Sequence, residues 1–401
     1  MGASLFAGVE LAPRDPIMGL TEAFNHDTRA HKVNLGVGVY LNDDGKIPVL
    51  RAVVEAERQR AELPLPRGYL PIDGIPAYDL AVQQLLLGVD SPLIKEGKAI
   101  TAQALGGTGG LKVGADLLRR VLPGSKVAIS DPSWENHRAI FDYAGFEVIT
   151  YPYYDAASRG LNVDAMIAGL KALPPKTVVV LHACCHNPTG VDPTPEQWPA
   201  ILAAVRDADL VPFLDIAYQG FGESIEDDGL AVRLFAESGL TFLVASSFSK
   251  SFSLYGERVG ALTIVDSSKE ESSRVLSQLK RVIRSNYSTP PTHGGMVVTT
   301  VLGDPELRGM WTKELGEMRD RIKDMRRGLA ERLKARGLTQ DLSFMVKQRG
   351  MFSFSGMNAA QVERLQKEFG IYAVSSGRIC VAALNHKNLD YVADAVAAVF
   401  K

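Results

Sequence analysis

Phe242-Leu243-Val244-Ala245-Ser246-Ser247-Phe248-Ser249-Lys250 opens as an apolar run and closes on hydroxyls and a lysine, with Arg258 a short reach downstream. The apolar half predicts a strand covered on both faces. A lysine at the end of a buried strand is costly to keep charged. Desolvation lowers its pKa, and a neutral amine condenses with carbonyls. The serine hydroxyls and the Arg258 guanidinium form a natural cradle for a phosphate. By itself an S-x-x-K spacing more often marks a surface lysine in a serine-rich loop, so the decision rests on the rest of the chain.

Outward from this strand, short apolar runs alternate with amphipathic stretches from about 100 to 265. Strands are predicted at Lys126–Ser130, Phe146–Tyr151, Thr177–His182, Val211–Ile216, Phe242–Ser246 and Val259–Val265. Helices are predicted at Leu111–Leu122, Trp134–Ala144 and Glu196–Asp207. Such alternation argues for an α/β layer with a mostly parallel sheet, and ligands collect at the carboxyl ends of such strands. The unusual residues fall there: Asn187 after one strand, Asp215 ending another, Lys250 after a third. From about 303 the pattern changes to long helical stretches (Met310–Arg336) and then an α+β mixture. This predicts a second, smaller domain completed by the N-terminal segment.

Composition narrows the function. The 401 residues, 46% hydrophobic, suffice for one large domain and a smaller one. Lys and Arg number 44 against 46 Asp and Glu, a net charge of −2 without long runs of one sign, which predicts neither a nucleic-acid nor a membrane partner. The three cysteines, Cys184, Cys185 and Cys380, read as free thiols in a reducing cytoplasm. The N-terminus lacks the pattern of a signal peptide, and no apolar run reaches membrane-spanning length.

Three further stretches carry chemistry. Gly106-Gly107-Thr108-Gly109-Gly110 precedes a helix, and glycines there let a backbone approach an anion at the helix N-terminus. A dinucleotide fingerprint fits less well, because its third glycine position is Lys112. His182-Ala183-Cys184-Cys185-His186-Asn187-Pro188-Thr189-Gly190 offers an amide for a phenolic oxygen, and its Asn-Pro pair is a turn signal and a candidate cis bond. With no acidic partner nearby, its histidines are not read as metal ligands. Asp215-Ile216-Ala217-Tyr218 ends a strand with a carboxylate that could keep a pyridine nitrogen protonated. Lysine, phosphate cradle and carboxylate together point to a carbonyl cofactor bearing a phosphate, pyridoxal 5′-phosphate.

These stretches, with S-D-P-S-W-E-N-H (130–137), S-F-S-K-x-F-S-L-Y-G-E-R-V-G (247–260), I-R-S-N-Y-S (283–288) and S-S-G-R-I-C-V-A (375–382), resemble the class I aspartate/aromatic aminotransferases. The resemblance runs from Asp15 to the C-terminus. It implies an α/β, fold-type I pyridoxal-phosphate enzyme working as a homodimer with shared active sites. It implies a large domain, 48–310, with a mostly parallel seven-stranded sheet between helices. A smaller α+β domain would take 15–47 and 311–401, and an N-terminal arm 1–14. By the same resemblance Lys250 would hold the cofactor covalently and then shuttle the proton. Asp215 would pair with the pyridinium, Tyr218 and Asn187 would bond the ring oxygen, and Trp134 would stack on the ring. Gly107, Thr108, Ser247, Ser249 and Arg258 would hold the phosphate, with Tyr69 of the other subunit. Arg378 would bind the α-carboxylate, Gly38 would close over the substrate, and Arg284 would reach across the dimer to a distal carboxylate. His137 and His182 would back up Asp215.

The implied reaction is ping-pong transamination between amino acids and 2-oxo acids. Val39 and Thr108 resemble aspartate-restricted members. Ile47, Tyr69-Leu70-Pro71 and Leu105–Asp116 resemble members active on tyrosine and phenylalanine, and Leu41 stands where the aspartate type often has lysine. Apolar side chains at 41 and 47 lower the cost of seating an aromatic ring. The expectation is a dual enzyme using 2-oxoglutarate as acceptor. The alternatives are a strictly aspartate-specific aminotransferase, a lyase on the same cofactor, or a non-enzymatic cofactor-binding regulator.

Overall fold

The computed structural model describes residues 4–12, 15, 17–63, 65, 66 and 68–401. Its centre is a seven-stranded sheet built from β1 (Ala99–Leu105), β2 (Val127–Asp131), β3 (Val148–Pro152), β4 (Val178–His182), β5 (Val211–Ile216), β6 (Phe242–Ser247) and β7 (Val259–Val265). The order across the sheet is β1-β7-β6-β5-β4-β2-β3. Only β7 runs against its neighbours, β1 and β6; the other pairings are parallel. The expected mostly parallel seven-stranded sheet is what the chain forms. The reversal of β7 is a structural finding that the apolar pattern, identical for both directions, does not encode.

The continuous apolar runs exist because both faces are covered. Along β4, Val178 and Val180 face one core, while Val179 and Leu181 face another. Likewise Phe213, Leu243 and Leu262 point one way, and Leu214, Val244 and Ala261 the other, the period of two that a pleated strand imposes. The first core is closed by α1 (Gly106–Val121), by the helix Glu135–Tyr143 and by α2 (Lys269–Asn286) through Leu111, Phe141 and Ile283. The second continues without a break to α3 (Pro305–Ala335) through Trp311, Leu315 and Ile322. Each fully buried side chain of this size contributes roughly 1.5–3 kcal/mol.

Helix starts follow their capping residues. The Ser268 side chain accepts from the Glu271 backbone at the head of α2, and Asp304 accepts from Glu306 and Leu307 ahead of α3, whose first residue is Pro305. α1 differs from expectation. It starts inside the glycine run rather than at Leu111, directly after β1. A Cβ at Gly110 would lie 2.7 Å from the Ala261 carbonyl oxygen, so bare backbone is needed where this helix crosses β7.

The two ends of the chain meet. Val33–Asn34 pairs in parallel with Ile371–Tyr372, and Phe352–Phe354 pairs antiparallel with Arg378–Cys380. Arg29 donates to the carbonyls of Gln366 and Lys367. The expected arm, 1–14, lies partly outside the described residues; its Leu5, Phe6, Val9 and Leu11 are exposed. No helix among the described residues is long and apolar enough to cross a membrane.

Candidate active site

A cavity of about 260 Å³ opens at the carboxyl ends of β4, β5 and β6. It gathers Lys250, Asp215, Tyr218, Asn187, Trp134, Gly107, Thr108, Ser247, Ser249, Arg258, Gly38 and Arg378. Every cofactor and substrate residue expected within one chain therefore faces one space. Tyr69 and Arg284 do not line it. Tyr69 is almost fully exposed, and Arg284, on the outer surface of α2, is bonded to the Ser288 hydroxyl.

The floor is a pair of opposed charges. Asp215 ends β5, opposite His182 in the register with β4. Burial alone would raise its carboxyl; the bond from His137 (Nε2 to Oδ2, 2.8 Å), helped by the nearby Lys250 amine, outweighs that and holds it below its ordinary value. The other His137 nitrogen is hydrogen-bonded to Ser133 at 2.9 Å. Lys250 stands over the Tyr218 ring, 4.7 Å from its centre. Burial pushes its amine down to about 8; Asp215 opposes this, and Arg258 adds to it. About a tenth of the amine is then neutral at pH 7, far more than for an ordinary lysine. Burial holds the Tyr218 phenol protonated, a donor.

One end of the cavity is an anion cradle. α1 starts there with Gly106 at φ 71°, and a Cβ on that residue would lie 2.5 Å from Arg258 Nη2. Arg258 donates to the carbonyls of Tyr255 (2.9 Å) and Leu105 (3.4 Å) and reaches Ser249 Oγ at 3.5 Å; the Ser247 hydroxyl is 3.2 Å from that of Ser249. Guanidinium, paired hydroxyls and a helix N-terminus converge as a phosphate monoester requires.

The opposite end presents Arg378, which is buried. It donates to Asn187 Oδ1 (3.1 Å) and the Gly36 carbonyl (2.6 Å), and its Nε has no hydrogen-bond partner among the described residues. Its guanidinium lies over the Phe352 ring at 4.4 Å. Burial lowers its pKa, yet a guanidinium stays charged and ready for a carboxylate. Gly38 packs on the same ring; a Cβ there would lie 2.5 Å from Phe352 Cζ. The cradle, the depressed carboxylate and the amine between them fit pyridoxal phosphate in both charge and order.

Tyr255 and Phe352 line the cavity without having been expected there, as do Ile17, Cys184 and Ala217. Tyr255, whose hydroxyl accepts from the Tyr40 backbone N–H at 3.0 Å, sits inside the Lys250–Arg258 stretch, so its position was the available signal. Phe352 had none. One sequence inference needs correction: an acid does lie beside the histidines. Ligand-type atoms of His137, His182 and Asp215 come within 4.8 Å of one another, with the Asp215 contact already taken by His137. His182, pushed down to about 3 by burial and by His137, is neutral. The expected cis bond is present at Asn187-Pro188, with another at Asp131-Pro132.

The family model for aminotransferases of class I and II matches residues 30–396. The chain is 64% identical to an aspartate aminotransferase of Pseudomonas aeruginosa, over 98% of this chain and 99% of that one. It is 50% identical to an aromatic-amino-acid aminotransferase of Escherichia coli K12, over 98% of this chain and 100% of the other. Among solved structures it is similar to the aromatic-amino-acid aminotransferase of Burkholderia pseudomallei covalently bound to pyridoxal phosphate. That likeness has a TM-score of 0.97 and 69% identity, with both chains fully covered.

Proposed function

This chain belongs to the class I and II aminotransferases, and from that premise we propose how its residues divide the work. It is a pyridoxal-phosphate-dependent transaminase of the aspartate and aromatic amino acid type. The observation that carries the residue assignment is the single cavity holding Lys250, Asp215 and Arg378 together.

When bound, the cofactor supplies a carbonyl for amine exchange and a ring that accepts electrons from the substrate Cα–H bond. Gly107, Thr108, Ser247, Ser249 and Arg258 hold its phosphate, and Trp134 covers its ring. Asp215, kept ionised by His137, holds the proton on the ring nitrogen. Tyr218 and Asn187 donate to the ring oxygen. Lys250, once its amine is free, takes the proton from the substrate carbon and later returns it. Arg378 fixes the α-carboxylate so that this bond faces Lys250.

Tyr69 and Arg284 stand outside the cavity of their own chain, and we assign them to the partner's site in a homodimer. Their exposure supports this reading. We place the enzyme in the cytoplasm, in keeping with three free cysteines. We take 15–47 and 311–401 as the small domain and 48–310 as the large one; the pairing of Val33 with Ile371 supports that division.

A panel of amino donors with 2-oxoglutarate tests the substrate range. Aspartate, tyrosine and phenylalanine should all be converted. Arg284→Ala should lower kcat/KM for aspartate on the order of a hundredfold while sparing phenylalanine, because only aspartate has a distal carboxylate to leave unpaired. Inert aromatic donors would make the enzyme strictly aspartate-specific. Equal losses for both donors would reassign Arg284 to the dimer interface.

A further inference from the structure

Arg326 lies on α3, 2% exposed, and its guanidinium meets no carboxylate among the described residues. Burial lowers its pKa to about 10. A buried guanidinium without a counter-ion is expensive and persists only where its N–H groups are used well. Here they are spent on one short segment. Nη2 donates to the carbonyls of Gly350 (2.7 Å) and Phe352 (2.9 Å); Nη1 donates to the Met345 carbonyl (3.3 Å) and to Gln348 Oε1 (3.5 Å). Gln348 extends the grip, accepting from the Ser353 hydroxyl and donating to the Phe354 carbonyl.

That segment touches both partners of the carboxylate end. Phe354 pairs with Arg378 and Phe352 with Cys380, and the Phe352 ring carries the Arg378 guanidinium. On its other side, the Arg349 N–H donates to the Gly190 carbonyl at 2.6 Å, three residues beyond the Asn187 that accepts from Arg378. Gly350 packs so closely on Cys185 that a Cβ would lie 2.5 Å from the Cys185 Cβ.

We propose that Arg326 is a positioning residue for substrate carboxylates: by clamping the 345–353 segment it sets Phe352, and through Phe352 the aim of Arg378. It touches neither cofactor nor substrate. The inference rests on the aminotransferase reading and adds to it the reason a buried charge is kept behind the site.

The test uses the holoenzyme with Arg326→Met, Arg326→Lys and Gln348→Leu. Two quantities are read: the Kd of a simple dicarboxylate lacking an amine, by calorimetry, and the single-turnover rate with an amine lacking a carboxylate. Loss of the clamp should raise the dicarboxylate Kd roughly tenfold or more. The cofactor absorbance and the carboxylate-free rate should stay as in wild type, and lysine, without the fork, should recover only part of the affinity. Equal losses in both readouts, or an unchanged Kd, would overturn the proposal. Should Arg326→Met not fold, Gln348→Leu and Arg326→Lys decide by the same two numbers. Wild-type protein that bound no dicarboxylate would instead sink the aminotransferase reading itself.

Discussion

The cavity wall that carries Asp215 and Lys250 grows from the ends of adjacent strands, whereas the wall that carries Arg378 and Phe352 is joined from the two ends of the chain. On the first, backbone hydrogen bonds of the sheet fix the spacing: His182 faces Asp215, and Ile216 faces Ser246. On the second, the Cys380 N–H donates to the Leu35 carbonyl and Arg378 to the Gly36 carbonyl, across more than three hundred residues of sequence. On the proposed assignment, the sheet-borne wall does the chemistry and must hold one geometry, and the joined wall meets the α-carboxylate, the part of the ligand that every substrate shares.

The two walls should therefore fail separately. Lys250→Ala should lower turnover by several orders of magnitude yet leave dicarboxylate binding within a few-fold of wild type. Borohydride reduction and peptide mapping of the native enzyme should label Lys250; a label on another lysine would move the chemistry off the sheet-borne wall. Arg378→Ala should do the reverse. Removing one member of a buried ionic contact costs about 3–5 kcal/mol, so carboxylate binding should collapse by about two to nearly four orders of magnitude while the cofactor spectrum persists. Loss of the cofactor in that variant would show that the walls are not independent.

The smallest expected effect is a pH signature of the first wall in the cofactor-free protein. The folded pKa of Lys250, about 8, lies below its ordinary 10.5. Between those values the unfolded chain holds a proton that the folded chain does not, so raising the pH through this window favours the fold. Lys250→Met should be the more stable protein below pH 8, and its advantage over wild type should shrink towards pH 10.5. Thermal unfolding of both proteins across that range checks the trend. An advantage independent of pH would mean that the amine is solvated rather than buried.

The same division governs what the sequence reveals. The Lys250–Arg258 stretch, Asp215-Ile216-Ala217-Tyr218 and the Asn187 turn are legible because each packs its chemistry into a few consecutive residues after an apolar run. β1 is poorly legible: Ala99–Leu105 is rich in alanine with one glutamine, weak strand formers that are held by pairing with β7. The glycines heading α1 argue against helix by propensity, and packing on Ala261 overrides them. Phe352 and Arg326 act through long-range contacts that no local pattern announces. Gly38 and Arg378 were reachable only through family resemblance, since nothing in their own neighbourhoods marks a carboxylate site.

The reversed strand β7 has a mechanical consequence. A parallel neighbour after β6 would have required a crossover, delivering the chain to the far edge of the sheet. Instead the chain leaves at Ser247 and turns back on the ligand edge, with Ser247 opposite Gly260 and the Phe248 N–H bonded to the Val259 carbonyl. Lys250, Tyr255 and Arg258 thus ride on one turn-back whose feet are latched side by side. The amine and the anion-holding guanidinium are geared to each other by a local hairpin, so sliding β6 along β7 displaces both.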